Sequence, residues 1–410
     1  MKSDIIVIGG GASGMIAAVS AAQKGASVVI LERMSRIGKK LLATGNGRCN
    51  YTNRKMNINC YHSQNIASVS KILNAFSEKD TEQFFMKLGI LPKDKDGYVY
   101  PNSMQAASML DALRFELDRL GVQVITDADV QKIARKGKGF QVTCREGDYQ
   151  CRKVILAAGG RASEKLGSNG SGYSLARSLG HRIVPVVPAL TGLKAKEKVY
   201  KNLSGVRTEG RVTLFIDNKA VDSHQGELQL ADYGISGIPV FQISGQAAYG
   251  ISGNRKVRCE LDFFPEWTET ELVSFLKERQ KYFRNSPAEV FETGLLNRKL
   301  IRECIRLSGK TDRNGLPDMA VLAKTMKHFP ATITESRGYE FAQVCAGGVD
   351  LSEIHLKSCE SVKCSGLYIV GELLDADGIC GGYNLQWAWS TGYLAGSHAG
   401  KECNASNRTN

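Results

Sequence analysis

The chain has 410 residues, of which 42% are hydrophobic and 23% charged, which is the composition of a globular protein. A chain of this length is too long for one ordinary hydrophobic core, so we expect two or three domains. The formal net charge of +13 favours binding of anionic partners such as dinucleotides or acyl-CoA; the alternative is a basic surface that is only solvated. The lysines and arginines are scattered along the chain without a run of about five like charges, which argues against a nucleic-acid partner. No apolar run reaches about 18 residues, so we expect no membrane span and a cytoplasmic protein.

The eleven cysteines are odd in number, irregularly spaced and without a CxxC pair, which favours reduced, mostly buried thiols over a disulfide framework. Cys359 and Cys364 have the C-x4-C spacing, but they come just before the last predicted strand and not after the glycine motif, so we expect structural thiols. The six histidines are isolated, and we expect no metal site.

The N-terminal segment reads as a β-α-β unit. Asp4–Ile8 predicts a buried strand, a small-residue pattern from Gly14 to Lys24 predicts a helix, and Ala26–Leu31 predicts a second strand. Between the first strand and the helix lies Gly9-Gly10-Gly11-Ala12-Ser13-Gly14, a G-x-G-x-x-G motif, and Glu32 follows 18 residues (32 − 14) after its last glycine. Such a turn brings pyrophosphate to a helix N-terminus, and the carboxylate suits a ribose hydroxyl.

The rest of the chain predicts a split α/β fold: a Rossmann-type FAD-binding domain of residues 1–185 and 345–410 with an insert of 186–344. The insert is expected to be β-rich at about 186–263 and 331–344 and helical at about 264–330, with Thr268 and Glu271 forming a capping box. The other predicted elements of the FAD domain are a loop at 36–53, helices at about 66–88, 103–120, 173–179 and 384–399, a turn at 96–101, and strands at 122–126, 130–134, 139–145, 149–152, 153–157 and 367–370.

Three further segments favour FAD over NAD as the resident dinucleotide. Val154–Gly160 resembles the second motif of two-motif flavoproteins, and Leu367–Glu372 resembles their C-terminal motif. Gly381-Gly382-Tyr383-Asn384 then opens a helix whose N-terminus, in such flavoproteins, points at the N1–C2=O edge of the flavin.

A more specific resemblance follows from Thr44–Asn53, which resembles the TGxGRCNxTN signature of the BaiN-type bacterial NAD(P)/FAD-dependent oxidoreductase family, the 3-dehydro-bile acid Δ4,6-reductase-like flavoproteins. Gly234–Gly237, Ala346–Val349 and Gly381–Ala388 also resemble its conserved blocks, so the similarity covers essentially the whole chain. Many relatives have Thr-His where this chain has Ala231-Asp232. The resemblance implies non-covalent FAD and NADH or NADPH as a transient hydride donor.

Together the motifs and the resemblance predict a cofactor-binding set that consists of Gly9, Gly11, Ala12, Ser13, Gly14, Glu32, Arg33, Lys40, Thr44, Gly45, Asn46, Gly47, Arg48, Cys49, Asn50, Val130, Ala158, Gly159, Gly160, Gly371, Glu372, Asp377, Gly382, Tyr383, Asn384 and Leu385.

Two residues are candidates for the chemistry. The guanidinium of Arg48 suits a pyrophosphate or developing charge on flavin or substrate; the alternative is a hydrogen bond that braces its own loop. Tyr233, Asp232 and Tyr383 are candidate proton donors by their position in the sequence, and Tyr233 is preferred. Tyr233 could equally be a packed aromatic residue.

The preferred interpretation is NAD(P)H-linked reduction of a conjugated C=C bond in an enone, such as a 3-oxo-Δ4,6 bile-acid or steroid intermediate; hydride would pass from nicotinamide through flavin N5 to the β-carbon. The substrate would be a small molecule, including anionic or CoA-linked ones. Two alternatives stay open: an FAD-dependent dehydrogenase or oxidase of another small molecule, and a flavin-dependent RNA-modifying or RNA-binding protein, suggested only by the positive charge.

Overall fold

The computed structural model describes residues 2–309 and 315–408. The chain divides into two compact units, one of Met1–Val186 and Val344–Asn410 and the other of Val187–Gln343. We call them the first and the second unit. Their boundaries lie within two residues of the expected edges of the insert. The α/β class predicted from the sequence is confirmed.

In chain order the strands are β1 (Lys2–Ile8), β2 (Val28–Leu31), β3 (Thr52–Asn53), β4 (Tyr61–His62), β5 (Pro92–Lys95), β6 (Tyr98–Pro101), β7 (Gln123–Ile125), β8 (Val130–Lys136), β9 (Gly139–Cys144), β10 (Gly147–Leu156), β11 (Ile183–Ala189), β12 (Leu193–Ala195), β13 (Arg207–Ile216), β14 (Lys219–Ala231), β15 (Gly234–Ser236), β16 (Val257–Asp262), β17 (Phe329–Ser336), β18 (Val344–Val349), β19 (Ile354–His355), β20 (Glu360–Ser361), β21 (Leu367–Ile369) and β22 (Asp377–Gly378). The helices are α1 (Ala12–Ala22), α2 (Lys39–Ala43), α3 (Ile66–Ala75), α4 (Glu78–Lys87), α5 (Ala106–Arg119), α6 (Ser171–Ser178), α7 (Ile238–Ser252), α8 (Glu269–Tyr282), α9 (Ala288–Glu292), α10 (Arg298–Leu307), α11 (Met319–Lys327) and α12 (Tyr383–Arg408).

The main sheet of the first unit has a parallel centre in the order β21-β10-β1-β2-β7. β2 is buried along its whole length and β1 along its second half, as expected of parallel strands covered on both faces. Because the strands are parallel, their carboxyl ends lie at one edge. That edge is where ligands bind in open α/β sheets.

β10 corrects the sequence prediction, which divided it into strands at 149–152 and 153–157. Arg152 and Lys153 interrupt the apolar pattern there, but their side chains are half-buried and pair with Asp4 at 3.2 Å and Glu402 at 2.6 Å. The backbone pairing therefore continues through them as one strand.

Several helix predictions also need correction. The expected helix at 66–88 is two helices, because Phe76 is extended and Ser77 starts α4 in a capping box with Asp80. The stretch at 186–263 holds α7, which follows Gly237 in the left-handed region and has a proline in its first turn. The 36–53 loop holds α2, and the turn at 96–101 is part of the β5–β6 hairpin.

The second unit is built on a closed barrel in the order β12-β15-β14-β13-β16-β17, and β17 pairs with β12 to close it. Side chains along β13 and β16 alternate between the barrel core and the outside, which explains their period of two. Thr268 and Glu271 cap α8 in a capping box. The predicted helical stretch includes residues 310–314, which lie outside the described residues.

α12 packs on α1 through three glycines that are spaced four residues apart. A Cβ atom on Gly392, Gly396 or Gly400 would lie 2.4, 2.1 or 2.7 Å from the carbonyl oxygens of Ser13, Ala17 and Ala21, respectively. Side chains at these positions would force the helices apart, so the glycines set the distance between the two backbones.

Among residues 2–309 and 315–408, no helix is long and apolar enough to cross a membrane.

We expect Gly396→Val to destabilise the first unit by about 2–3 kcal/mol, because its side chain would overlap the Ala17 carbonyl. The urea midpoint of the purified protein measures this. Lys401→Val is the matched control: it places the same β-branched residue on an exposed position of α12 and should cost well under about 1 kcal/mol. Equal midpoints for the two variants would contradict the packing described.

Candidate functional site

Four sequence motifs meet at the carboxyl edge of the parallel sheet. Gly9 follows β1, Glu32 follows β2, Ala157–Gly160 follows β10, and Gly371 comes directly after Val370 at the end of β21. The strand ladders continue to this edge: the Ala157 N–H donates to the Ile8 carbonyl at 2.8 Å. Segments that are far apart in the sequence therefore share one site.

The three glycines of the first motif have different roles. Gly9 has φ +106°, and a Cβ atom there would lie 2.4 Å from the Ala157 carbonyl oxygen. A Cβ atom on Gly14 would lie 1.9 Å from the Gly9 oxygen, so these two glycines close the turn. A Cβ atom on Gly11, by contrast, would have no described atom within 4 Å outside its chain neighbours and its own helix backbone, and among the described residues no side chain caps α1. The N-terminus of α1 is open to a ligand.

The carboxylate of Glu32 is fixed at this turn by two backbone N–H groups. Oε2 accepts from Gly10 and Oε1 from Met34, both at 2.7 Å. Because each carboxylate oxygen can accept more than one hydrogen bond, Glu32 can still accept from a hydroxyl group of a ligand.

Glu372, Lys40 and Gly160 form a second cluster at the same edge. Lys40 Nζ lies 2.7 Å from Glu372 Oε2, and the Cys345 N–H donates to Oε1 at 3.0 Å. A Cβ atom on Gly160 would lie 2.5 Å from that Oε1. The structure thus brings together three of the predicted cofactor residues.

Gly371 is held in a left-handed conformation, with φ +72°, by the side chains of α12. Its N–H donates to Thr391 Oγ1 at 2.9 Å, and its carbonyl accepts from Trp387 Nε1 at 3.1 Å. A Cβ atom here would lie 2.5 Å from Ser13 Oγ, in the first turn of α1.

The Thr44–Asn53 motif combines a left-handed loop with an open acceptor. Gly45, Asn46, Gly47 and Cys49 all have positive φ. Asn50 Nδ2 donates to the carbonyls of residues 52 and 99, whereas its buried Oδ1 has no hydrogen-bond partner among the described residues. That oxygen would lie 3.0 Å from a Cβ atom on the residue-382 glycine. A ligand N–H, such as the ring N–H of a flavin, would satisfy it.

The end of the same motif is fastened to the start of α12. Three hydrogen bonds join them: Thr52 Oγ1 to Gln386 Oε1 at 2.6 Å, Trp389 Nε1 to the Tyr51 carbonyl at 2.9 Å, and Asn53 Nδ2 to the Gly381 carbonyl at 2.9 Å. The sequence analysis named both segments but did not predict the hydrogen bonds between them. Polar residues among apolar neighbours, such as Thr52 and Gln386, were the signal that could have indicated these bonds.

Arg48 and Cys49 have local roles in this structure. Arg48 is exposed, and its Nε donates to the Gly45 carbonyl at 3.3 Å, which braces the loop. Cys49 is fully buried, and burial raises the pKa of its thiol to about 12. A thiol of this kind is protonated near neutral pH and is a poor nucleophile.

The other predicted cofactor residues differ in exposure and in partners. Both groups of the Asn384 amide bond to the Gly378 backbone, at 2.9 and 2.6 Å, and Tyr383 donates its hydroxyl to the Lys55 carbonyl at 3.3 Å. Arg33 donates to the Gly167 carbonyl at 3.1 Å. Val130 is buried at the start of β8, and Ala12, Ala158 and Leu385 are partly buried against the core of the first unit.

Asp377 is buried in β22, and its carboxylate lies 3.4 Å from His62 Nδ1 on β4. Burial raises its pKa, and the imidazole opposes that shift.

Tyr233 belongs to the second unit, where the Arg337 guanidinium lies 4.4 Å from its ring centre. Within residues 2–309 and 315–408, no group of three or more His, Cys, Asp and Glu side chains could hold a metal ion.

Comparison with protein families matches the HI0933-like protein Rossmann domain over residues 3–398. The chain belongs to the HI0933-like family. It is 43% identical, over 96% of its length and 98% of the relative's, to the 3-dehydro-bile acid Δ(4,6)-reductase of Clostridium scindens. It is 30% identical, over 95% and 97% of the two chains, to the ribosomal RNA dihydrouridine synthase of Haemophilus influenzae.

Solved structures share the HI0933-like fold at low identity. The 3-ketosteroid Δ1-dehydrogenase of Sterolibacterium denitrificans superposes with a TM-score of 0.51 at 13% identity and covers 98% of this chain and 100% of its own. An open flavocytochrome c3 fumarate reductase gives 0.50 at 14% identity, with 98% and 78% covered. Family and fold thus show a Rossmann-type domain, for which the sequence predicts FAD. The open Gly11, the unsatisfied Asn50 oxygen and the glycine turn at 382 fit that cofactor.

We expect Gly11→Val to fold but to lose FAD, because its side chain would enter the open space that a pyrophosphate needs. The flavin-to-protein ratio from absorbance measures this, and circular dichroism checks folding. Gly14→Val is the contrasting variant: its side chain meets the Gly9 backbone, so it should not fold. Stoichiometric flavin in purified Gly11→Val would disprove this assignment.

We also expect the Cys359→Ser/Cys364→Ser double variant to keep the rate of flavin reduction by NADH or NADPH, the hydride donor that the sequence predicts, within a few fold. Both thiols are buried and free, and burial raises both pKa values. Anaerobic stopped-flow absorbance measures the rate. A loss of several hundred-fold in a folded variant would mean that a cysteine pair takes part in electron transfer.

Proposed function

We propose that this protein catalyses the FAD-dependent, NAD(P)H-linked reduction of a C=C bond that is conjugated to a carbonyl group. The observation that carries the proposal is full-length similarity to two kinds of relative. A Δ(4,6) bile-acid intermediate with a 3-oxo group and the uracil ring of uridine, which gives dihydrouridine, each have a C=C bond conjugated to a carbonyl. Reduction of a conjugated C=C bond therefore accounts for the activities in the names of both relatives.

The leading substrate class is the steroid-like 3-oxo-diene, because the bile-acid reductase shares 43% of its residues with this chain. When bound, FAD would supply the hydride that the β-carbon of such a ketone needs. The substrate oxygen needs an electrostatic partner, since negative charge develops there. Arg48 suits this role: its guanidinium is exposed, and its Nε donates to the Gly45 carbonyl in the loop that also carries Asn46.

The proton that completes the reduction has two proposed sources. Tyr233 stays a candidate proton donor, with its ring beneath the Arg337 guanidinium. The second is the buried Asp377 with its half-buried neighbour His62, since burial favours the protonated carboxyl group and the imidazole can carry a proton.

A second candidate substrate is a uracil base in RNA. The net charge of +13 favours it, because RNA binding depends on cationic side chains that meet phosphates. The relative from Haemophilus influenzae, which is named for ribosomal RNA, supports the same substrate class.

We expect photoreduced protein to be reoxidised by a bile-acid dienone far faster than by fumarate or a quinone. Anaerobic rapid mixing, followed by the return of flavin absorbance, measures the three rates. Free FAD at equal concentration is the control for uncatalysed reaction. Reoxidation by the quinone or fumarate without a response to the dienone would exclude the steroid class, and the same assay with uridine-containing RNA tests the second candidate.

A further inference from the structure

A cluster of exposed basic side chains lies on the second unit. Lys196, Lys198 and Lys201 come from the segment after β12, and Arg298 and Lys299 start α10. We call these five residues the basic face. Their exposure makes the amino and guanidinium groups available to a ligand in solvent.

The lysines of the first segment are directed outward by the residues between them. Lys198–Lys201 is a 3-10 helix in which Val199 and Tyr200 are buried, and the Tyr200 hydroxyl donates to the Pro330 carbonyl at 2.8 Å. Anchored in this way on the barrel, the helix exposes a lysine on each side of its buried pair.

Two hydrogen bonds join this segment to α10. Asn202 Nδ2 donates to Glu303 Oε1 at 2.7 Å, and Lys299 Nζ donates to the Ser204 carbonyl at 3.4 Å. The fold therefore combines charges that are about a hundred positions apart in the sequence. The N-terminus of α10 adds the positive end of its dipole to the same face.

The neighbouring carboxylates are engaged elsewhere. Both oxygens of Glu197 accept from the Thr332 N–H, at 2.9 and 3.0 Å. Glu303 is nearly buried and bonds Arg306 as well as Asn202, at 2.7 Å in each case. Within the described residues, the ion pairs near α10 are made by other cations, Arg302 with Glu292 and Arg306 with Glu303, and not by the five residues of the basic face.

We propose that the basic face binds the phosphate backbone of RNA, and that this RNA presents the reducible uracil. The inference rests on the second candidate of the proposed function. Five cations on two elements suit a run of successive phosphates, whereas a single pyrophosphate, as in CoA, needs fewer partners.

An exposed aromatic residue in the same group of helices supports RNA over an acidic protein. Tyr282 is 82% exposed at the end of α8, between Lys281 and Arg284. Arg279 ties this helix end to the segment that leads to α10 through a bond to the Phe291 carbonyl at 2.9 Å. An exposed ring among cations can stack on an unpaired base, which an acidic peptide does not offer.

The test compares two double variants of the FAD-loaded protein. Lys198→Glu/Lys201→Glu reverses two charges of the basic face. Lys93→Glu/Lys95→Glu makes the same change in net charge at exposed positions on β5 of the first unit. Fluorescence anisotropy with a labelled, single-stranded RNA that contains uridine is measured against salt concentration, with the flavin oxidised.

We expect the first variant to bind RNA at least about tenfold more weakly at moderate salt and to make the negative slope of log K against log salt less steep by about 1.4, two contacts at about 0.7 each. The β5 variant should stay within about threefold of the unchanged protein. Equal weakening by both variants, no binding by the unchanged protein below about 10 µM, or equal competition by polyglutamate would overturn the proposal.

Flavin reoxidation by a small enone, measured on the same samples, separates this inference from the proposed function. The basic-face variant should react with the enone at the rate of the unchanged protein. If RNA binding fails while the enone reaction proceeds, only the RNA surface is wrong. If the enone reaction fails in every sample while RNA binds as expected, the small-molecule chemistry is wrong and the surface stands.

Discussion

The close approach of α12 to α1 is the constraint on which the first unit depends. Glycines at 392, 396 and 400 leave room for the carbonyl groups of α1, so the two helices pack backbone to backbone. From that position α12 fixes Gly371 through Thr391 and Trp387, and its first turns hold the end of the Thr44–Asn53 motif. One helix–helix distance thus sets the relative positions of the glycine turn, the end of β21 and the loop that carries Asn50.

Polar side chains at the sheet edge divide into those that hold the site and those that are available to a ligand. Glu32 and Glu372 are fixed by backbone N–H groups and by Lys40, which gives their oxygens defined positions before anything binds. Asn50 keeps one oxygen unsatisfied, a costly arrangement in a buried place unless a partner arrives. Preorganised acceptors of this kind lower the entropy lost on cofactor binding.

The sequence predicted those parts that depend on local pattern. The apolar strands, the turn at Gly9 and the cap at Thr268 follow from a few neighbouring residues. It was wrong about β10, where Arg152 and Lys153 hide a continuous strand, and about α7, whose small apolar residues resemble a strand. It could not foresee the contacts of the 44–53 motif with α12 or the basic face, because both depend on residues distant in the chain.

The order of the chain gives the packing of α1 on α12 a consequence for biosynthesis. The second unit is one continuous segment, 187–343, whereas the first unit needs residues from both ends. Ribosomes add about 5–20 residues per second, so α1 waits on the order of tens of seconds for its partner helix to emerge. The barrel can fold during that interval while the nucleotide-binding half stays incomplete. Cofactor loading therefore becomes a late event, and nascent chains stalled before residue 383 would expose the apolar sheet to chaperones and proteases.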